Sequence, residues 1–294
     1  MRGAHPERDL EIAVLRERAL LVGRRISVAC SGGADSVALV AVLAALAERL
    51  DLQLRVAYVH HAMRRSAWQD ECVVLRVGSG LGIPVDTLAI EPEGADEATL
   101  RDRRYEALLE HARAWGNDAV VTAHHAQDQT ESVLLALFRG AGERGLGGMR
   151  VRRPLSPEVE LLRPLLAVDG EVLRAYCHVR TLPYAVDPSN AELDVRRNAV
   201  RDALDALRPR FPGLDRAVAR AAKIAGNAAA AEDADRAAAR RWLAGALMRR
   251  LGREAGAFER VDALLVAIER GGSGRYGLGG GASVLLQDGM PVEE

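Results

Sequence analysis

The stretch VACSGGADSVALV, from Val28 to Val40, has the pattern of a buried strand end, a glycine turn and the start of a helix. Gly32 and Gly33 let backbone N–H groups approach an anion closely, and a helix N-terminus favours negative charge. The stretch therefore predicts a phosphate site, with an N-capped turn that holds no ligand as the alternative. A Walker A loop is excluded because Lys223 is the only lysine of the chain, and the GxGxxG of a dinucleotide fold is also missing.

Side chains within this loop strengthen the phosphate interpretation. Ser31 and Ser36 add hydroxyl donors, and the Asp35 carboxylate could hold Mg²⁺. Cys30, just before the loop, is interpreted as a small buried residue, with a role in sulfur transfer as the alternative.

Four strand-like segments alternate with longer helical patterns over the first two thirds of the chain. The predicted strands are Arg25–Cys30, Leu54–His60, Pro84–Ile90 and Asp118–Ala123, and the predicted helices are Asp35–Leu50, Ser66–Leu81, Asp96–Trp115 and Gln127–Arg139. Strands spaced by helices of this length predict βαβ units on a parallel sheet, whose ligands bind at the carboxyl ends of the strands. Polar motifs do follow three of the strands, so the functional site is expected at that edge.

The rest of the chain has a different character. The glycine-rich segment Arg139–Met149 is typical of a flexible loop. From about Val200 the sequence is rich in Ala and Arg and has a helical pattern, and its last twenty or so residues suggest a small hairpin. We predict an α/β, parallel-sheet, Rossmann-like domain over residues 1–207, followed by a small, mainly helical domain over residues 208–294.

Composition narrows the class of protein. No apolar run is long enough to span a bilayer, and the N-terminus does not resemble a signal peptide. The three cysteines, Cys30, Cys72 and Cys177, are far apart, which argues against a zinc ribbon, an iron–sulfur cluster or a disulfide scaffold. We expect a cytoplasmic protein with no membrane partner. The net charge is −1, but basic patches at 139–153 and 196–223 could attract phosphate, with solvated helix faces as the alternative.

A second motif, TAHHAQDQTESVLLALFRG, begins at Thr122, where the fourth predicted strand ends. His124 and His125 close that strand, and Asp128 and Glu131 are three residues apart, hence on one face of the following helix. Two such carboxylates could receive a cationic substrate group or a metal. The HExxH spacing of a zinc hydrolase is absent, and an ordinary capped amphipathic helix remains the alternative.

Several arginines accompany these motifs. Arg101, Arg104, Arg163 and Arg197 each lie within a polar or apolar motif, and arginine is suited to fork-like contacts with phosphate and carboxylate. Taken singly, each such arginine is more often a surface charge.

Taken together, the motifs resemble the PP-loop ATP pyrophosphatase superfamily and, within it, the tRNA(Ile)-lysidine synthetase family. The resemblance rests on the SGGADS loop and on six further segments in the family's order. These segments are VHHAMR (Val59–Arg64), RDRRY (Arg101–Tyr105), TAHHAQDQTE (Thr122–Glu131), FRGAGERGLGGM (Phe138–Met149), LLRPLL (Leu161–Leu166) and DPSNAELDVRRNAVR (Asp187–Arg201). The remaining third is similar only in kind, as a helical tRNA-binding appendage.

The resemblance implies a PP-loop domain with a two-step ligase activity. ATP would adenylate the carbonyl oxygen on carbon 2 of the wobble cytidine of a minor isoleucine tRNA and release pyrophosphate. The side-chain amine of free L-lysine would then attack that carbon and expel AMP, giving lysidine. The expected cofactors are ATP and Mg²⁺, the expected partners are tRNA and free lysine, and a homodimer is left open.

The resemblance also assigns roles to individual residues. Asp35, Arg104, Asp128, Glu131 and Arg197 are expected to be catalytic, and Asp35 is expected to hold Mg²⁺. ATP is expected at Ala29, Ser31, Gly32, Gly33, Ala34, Asp35, Ser36 and His61. Lysine is expected at His124, His125, Asp128 and Glu131, and tRNA at Arg139, Arg163, Arg197 and Arg201.

The sequence departs from the family's usual residues at a few positions, and two alternative functions are kept open. His60 stands where the family usually has Asp or Asn, and Ala62 and Met63 replace the common Gly-Leu pair, which affects the expected adenosine contacts. The alternatives are another PP-loop tRNA modifier of the cytidine thiolase type, whose CxxC cysteines are missing here, and a non-catalytic tRNA-binding paralogue.

Overall fold

The computed structural model describes residues 5–60, 67–90, 97–185 and 195–230, with shorter stretches at 263–264, 266–267, 272–279, 282–287 and 290–292. The chain has two compact units, Met1–Gly226 and Asn227–Glu294. The division at residues 207 and 208 that the sequence suggested stays a prediction.

The helices and strands of the larger unit alternate along the chain. Its helices are α1 (Pro6–Arg16), α2 (Ala34–Leu50), α3 (Ala67–Leu81), α4 (Glu97–Ala114), α5 (Ala126–Phe138), α6 (Glu143–Leu146), α7 (Gly170–Val179) and α8 (Val195–Leu207), with a short 3-10 helix at Arg18–Leu20. Its strands are β1 (Arg25–Ala29), β2 (Gln53–His60), β3 (Val85–Ala89), β4 (Ala119–Val121), β5 (Arg152–Pro154) and β6 (Glu160–Leu162). Residues 214–230 are also helical.

The six strands form one sheet in the order β3-β2-β1-β4-β6-β5. All neighbouring pairs are parallel except β5 and β6, which are antiparallel. The chain winds from β1 outwards to β3 on one side and resumes with β4 on the other side of β1. A crevice therefore opens between the carboxyl ends of β1 and β4, where sheets of this type bind ligands. The predicted α/β parallel-sheet fold is confirmed.

The core of the unit is built around helix α2. Its residues from Val37 to Leu43 are all buried, so α2 is apolar around its whole circumference, as expected of a helix enclosed by protein. It packs against β1 and β2 of the sheet and against α1 and α7 on its other side. This burial fixes the N-terminus of α2 at the edge of the sheet.

The predicted strands and helices over residues 25–139 agree with the observed bounds to within two residues. Among the elements that were not predicted are helix α1, the short helix α6 and the short strands β5 and β6. Strand β6 coincides with the start of the LLRPLL motif, whose strand character was hidden by its length of three residues. Strand β5 contains Pro154, and proline is tolerated here because β5 lies at the edge of the sheet.

The glycine-rich loop between α5 and β5 is held by hydrogen bonds, whereas its composition suggested a flexible loop. The buried Gln129 amide accepts a hydrogen bond from the Met149 N–H at 2.8 Å and donates to the Met149 carbonyl oxygen at 3.1 Å. The loop also approaches the helical residues 214–230 closely. A Cβ atom on Gly147 would lie 2.9 Å from the Cα atom of Gly226, closer than side chains normally come to a backbone atom.

The smaller unit contains a three-stranded antiparallel sheet. Its strands, in the order β7-β8-β9, are β7 (Gly274–Gly279), β8 (Ala282–Gln287) and β9 (Met290–Val292). The predicted hairpin corresponds to β7 and β8, and β9 adds a third strand. Among the described residues of the whole chain, no helix is long and apolar enough to cross a membrane.

The contact between Gly147 and Gly226 gives a first prediction. We expect Gly147→Ala to lower the free energy of unfolding by about 1–3 kcal/mol, because the added methyl group would meet backbone atoms that cannot rotate away. Gly142→Ala is the matched control in the same loop, since its Cβ would meet nothing within 4 Å. Urea unfolding of both variants measures the difference. Equal stability of the two variants would contradict the close approach.

Candidate active site

The loop after β1 has the geometry of an anion cradle. Gly32 has a φ of +88°, and a Cβ at this position would come 3.0 Å from the Asp70 carbonyl oxygen, so glycine is required here. The Gly32 carbonyl oxygen accepts a hydrogen bond from the Ala185 N–H at 2.9 Å, which fixes the loop from its other side. Gly33 is the N-cap of α2 and has no side chain to cap the first turn. The helix N-terminus is thus shaped for an external acceptor such as a phosphate oxygen.

Ser36 holds the shape of this loop. Its hydroxyl donates to the Gly33 carbonyl oxygen at 2.9 Å and accepts from the Ser31 N–H at 3.1 Å. Ser36 is buried whereas Ser31 is exposed, so Ser31 is the hydroxyl that a ligand can reach. Burial raises the pKa of the Cys30 thiol, which agrees with its interpretation as a small buried residue.

The other wall of the crevice is the start of helix α5, which is held by a capping box. His125 is the N-cap: its Nδ1 accepts a hydrogen bond from the Gln127 N–H at 3.3 Å, and Asp128 Oδ2 accepts from the His125 N–H at 3.0 Å. Two of the polar residues that the sequence singled out therefore also fix the direction in which α5 leaves β4.

His125 joins the two walls of the crevice. Its Nε2 lies 3.4 Å from Asp35 Oδ2 and 3.6 Å from Asp128 Oδ2. Because Nδ1 accepts the capping hydrogen bond, the proton of the neutral ring is on Nε2, where it faces both carboxylates. Burial lowers the pKa of His125, but Asp35, Asp128 and Glu131 outweigh it, and the pKa is raised. Asp35, with 41% of its side chain exposed, is thus connected through one imidazole to Asp128.

His124 has the opposite electrostatic character. Its Nδ1 is 2.8 Å from the Thr122 hydroxyl. Burial lowers its pKa to about 4, with further lowering by Arg163, Arg101 and Arg197, and Asp128 only partly offsets these effects. The pKa values of the two neighbouring histidines are therefore shifted in opposite directions, and His124 is neutral at pH 7.

Glu131 lies one turn further along α5 and is 2% exposed. Its Oε2 accepts a hydrogen bond from Arg197 Nε at 2.9 Å, and its Oε1 accepts one from Arg201 Nε at 2.9 Å. Arg201 Nη2 also donates to Oε2 at 3.2 Å. Both arginines are on α8, so this carboxylate joins α5 to α8.

A group of arginines surrounds Tyr105 on α4. The guanidinium carbon of Arg153 is 4.9 Å from the centre of the Tyr105 ring, and that of Arg101 is 5.8 Å from it. Burial raises the pKa of the Tyr105 phenol, but Arg163, Arg101 and Arg153 together lower it below its ordinary value. Arg163 itself is 2% exposed and donates from Nη1 to the Arg150 carbonyl oxygen at 2.8 Å.

The remaining predicted residues are more scattered. Ala29 is the last residue of β1, next to the phosphate loop, and Arg104 is exposed on α4. Arg139 ends α5 and donates from Nε to the Leu135 carbonyl oxygen at 2.9 Å. His61 and Asp187–Asn190 lie outside the described residues. The structure thus brings Asp35, His125 and Asp128 together in one group, and Glu131, Arg197 and Arg201 in another.

Some residues that shape the site were not found from the sequence. Gln129 was inside a quoted motif, but the polar residues on either side of it gave no signal that set it apart. Tyr105 was also quoted, without a role. The backbone contacts of Asp70 and Ala185 with Gly32 left no signal, because any residue can supply a carbonyl oxygen or an N–H group.

The fold and the site together define an α/β nucleotide-binding protein with a phosphate loop at the switch point of its sheet. Residues 7–207 match the PP-loop domain, so the chain belongs to the PP-loop family. The match assigns ATP binding to this domain. A tRNA thiolase from Methanococcus maripaludis, solved with its 4Fe–4S cluster, has the same fold: the TM-score is 0.64 at 15% identity, over 74% of this chain and 78% of that one.

Several curated relatives are more similar in sequence to this chain than the thiolase is. The chain is 43% identical over 201 residues to the tRNA(Ile)-lysidine synthase of Alkalilimnicola ehrlichii, which covers 66% of this chain and 44% of that protein. It is 41% identical over 214 residues to the tRNA(Ile)-lysidine synthase of Salinispora arenicola, covering 71% of this chain and 64% of that protein. The chain thus spans about half to two thirds of the length of these relatives.

The low pKa of His124 predicts a dependence of stability on pH. In the unfolded chain His124 would titrate near 6.5, and in the folded chain near 4, so between these values the unfolded state binds more protons. Stability is therefore lost as the pH falls from about 6.5 to 4. We expect His124→Asn to remove about 1–2 kcal/mol of the loss between pH 7.5 and 5.

Urea unfolding of the wild type and of His124→Asn at both pH values measures this contribution. The difference between the two proteins isolates His124 from His125, whose raised pKa has the opposite effect. The same pH dependence in both proteins would show that His124 is not held neutral by its surroundings.

Proposed function

We propose that this chain uses ATP to ligate L-lysine to the wobble cytidine of a minor isoleucine tRNA, which yields lysidine, AMP and pyrophosphate. The observation that carries the proposal is the crevice between β1 and β4. One of its walls is a phosphate loop without a lysine, and the other carries carboxylates suited to an amine, with His125 3.4 Å from Asp35 between them. The relatives named tRNA(Ile)-lysidine synthase support the choice of reaction.

The proposed first step is attack on the α-phosphorus of ATP. The carbonyl oxygen on carbon 2 of cytosine forms the new P–O bond, and the bond to the β-phosphate oxygen breaks, so that pyrophosphate leaves. A loop with backbone donors and a helix N-terminus can hold the departing pyrophosphate without a Walker lysine. Arg104, which lies on α4, is proposed to neutralise the negative charge of the phosphates.

Asp35 is the residue we propose for Mg²⁺. In nucleotide sites Mg²⁺ commonly takes one or two carboxylates together with phosphate oxygens, rather than a complete protein cage. A single, partly exposed carboxylate in the first turn of α2, beside the phosphate loop, fits that requirement. Bound Mg²⁺ would supply charge stabilisation to the leaving pyrophosphate.

The proposed second step is attack by the lysine amine on carbon 2 of the adenylated cytidine. The neutral amine forms the new C–N bond, the bond between carbon 2 and the AMP oxygen breaks so that AMP leaves, and the proton lost by the nitrogen is proposed to pass to the Asp128 carboxylate. Asp128 and Glu131 are proposed to bind the ammonium groups of lysine, with His124 and His125 beside them. The raised pKa of His125, caused by the nearby carboxylates, makes it the better placed of the two to share a proton with Asp128.

The tRNA is proposed to approach along the arginines that border the crevice. Arg139 is exposed and can contact a phosphate backbone. Arg197 and Arg201 are partly exposed, with guanidinium groups that also bind Glu131. Arg163 is buried against the Arg150 carbonyl oxygen, so its contribution to tRNA binding would be to position this region rather than to contact the RNA in the described conformation. The cytidine must be turned out of the anticodon loop to reach the crevice.

The alternative enzyme class receives less support from the site. A thiolase of the iron–sulfur type needs several cysteines at one place. Here Cys72 is exposed on α3 whereas Cys30 and Cys177 are buried, and no cluster of three or more metal-binding side chains occurs among the described residues. The intact set of Asp35, Asp128 and Glu131 likewise argues against a non-catalytic paralogue. A cytoplasmic location and a homodimer stay predictions.

Incorporation of lysine tests the proposal directly. The protein, incubated with ATP, radiolabelled L-lysine and a transcript of the minor isoleucine tRNA, is expected to transfer label into the tRNA with release of AMP and pyrophosphate. Consumption of ATP without incorporation of lysine would show that a different nucleophile is used. Labelled arginine in place of lysine serves as the control for side-chain recognition.

The role of Asp35 gives a further prediction. Asp35→Ala is expected to reduce turnover by on the order of 10² or more, because a charge partner of the phosphates is lost. Glu48→Ala removes an exposed carboxylate from the last turns of the same helix and serves as the matched control, with turnover close to that of the wild type. Near-normal turnover of Asp35→Ala would remove its assignment to the metal and the phosphates.

A further inference from the structure

The buried Glu131 carboxylate already has cationic partners within the chain. Only 3% of its side chain is exposed, and both of its oxygens accept hydrogen bonds from the guanidinium groups of Arg197 and Arg201. These are the two oxygens to which an ammonium group of lysine would have to bind under the proposed function. In the described conformation, therefore, protein and substrate would compete for the same carboxylate.

Because the Glu131 carboxylate is buried, its interaction with cations is strong. A carboxylate removed from water and left without a cation is strongly destabilised. Glu131 consequently needs a positively charged partner both before and after lysine binds. Arg201 supplies that charge in both states, and Arg197 adds a second cation when the site has no lysine.

The two arginines are bound to Glu131 in different ways. Arg201 donates from Nε to Oε1 at 2.9 Å and from Nη2 to Oε2 at 3.2 Å, so it holds both oxygens as a fork. Arg197 donates from Nε to Oε2 at 2.9 Å, the oxygen that it shares with Arg201. The pKa of Arg201 is raised, first of all by its hydrogen bond to Glu131. The fork formed by Arg201 is the more durable contact, because removing it would break bonds to both oxygens.

Arg197 also lies near the rest of the site. It is among the cations that lower the pKa of His124, the residue just before the N-cap of α5.

We propose that Arg197 is a placeholder at Glu131, which the ammonium group of the incoming substrate replaces at Oε2 while Arg201 stays bound and keeps the carboxylate in position. This inference rests on the proposed function, because it takes the amine of lysine as the group that arrives. It makes Arg201 a positioning residue, and it makes the release of Arg197 a consequence of lysine binding.

The placeholder has a measurable consequence for affinity. Part of the free energy of lysine binding is used to displace Arg197, so the wild type binds lysine more weakly than a chain without that guanidinium would. A simple structural ion pair predicts the reverse, since loss of Arg197 would then disorder the site and weaken binding. The two interpretations differ in the sign of the effect.

Calorimetric titration of L-lysine, with tRNA and α,β-methylene ATP present, tests the sign. Arg197→Met keeps the length of the side chain without its charge and is expected to lower the dissociation constant for lysine about fivefold or more. Arg197→Lys, which retains a cation at Oε2, is expected to bind lysine more weakly than Arg197→Met does. Arg201→Met, which removes the fork, is expected to raise the dissociation constant by a similar factor.

The outcomes separate this inference from the proposed function. If the wild type binds lysine and Arg197→Met binds it equally or more weakly, the placeholder is refuted and the ligase function is unaffected. If neither protein binds lysine although both bind tRNA and the ATP analogue, the proposed function fails and the placeholder with it. Should Arg197→Met not fold, as judged by its unfolding temperature, Arg197→Gln provides an uncharged side chain that can still donate to Glu131.

Discussion

The arrangement of this site depends on one buried charge, the carboxylate of Glu131. Because Glu131 sits inside the protein on α5, it requires cations, and the cations come from α8, more than sixty residues further along the chain. That requirement fixes α8 against α5. The capping box at the start of α5 in turn fixes Asp128 and His125 at the end of β4, so the buried charge and the surface of the crevice are parts of one rigid arrangement.

The phosphate side of the crevice is organised by backbone rather than by charge. Gly32 is held between the Asp70 carbonyl oxygen and the Ala185 N–H, and Ser36 ties the loop to the first turn of α2. Burial of α2 in the core keeps that turn in place. A loop of this kind offers N–H groups to phosphate without a mobile lysine, which suits release of an intact pyrophosphate. His125 reaches from the carboxylates of α5 to Asp35 at this loop.

Local patterns in the sequence were sufficient for the alternating strands and helices between residues 25 and 139. The strands there are short runs rich in Val, Ile and Ala, separated by longer helical patterns, and the glycine turn at 32 and 33 marks the first crossover. Strands β5 (RRP) and β6 (ELL) could not be found in this way, since neither lies in such a run and β6 joins the sheet by pairing with the distant strand β4. The order of the glycine-rich loop likewise depends on Gln129, twenty residues away from its partner Met149.

The site was predictable to a similar extent. The identity of the polar residues could be read from the ends of the strands, because parallel strands bring their carboxyl ends to one edge. Which of these polar residues bind each other could not be read from the sequence. Nothing in the spacing of Glu131, Arg197 and Arg201 indicates that one carboxylate binds both arginines, and the sequence instead suggested separate roles for them towards lysine and tRNA. The opposite pKa shifts of His124 and His125 also depend on neighbours from several elements rather than on the two residues themselves.

The central claim is that Arg201 stays bound to Glu131 and that the second cation at Oε2 changes from Arg197 to the lysine ammonium group when lysine binds. Nitrogen-15 NMR of the arginine Nε–H groups, assigned with Arg197→Lys and Arg201→Lys, follows both contacts during a titration with L-lysine in the presence of tRNA and α,β-methylene ATP. We predict that the Arg197 signal moves and loses protection from solvent exchange as lysine saturates the site, while the Arg201 signal keeps its position and protection. An Arg197 signal that stays unchanged at saturating lysine would contradict the account.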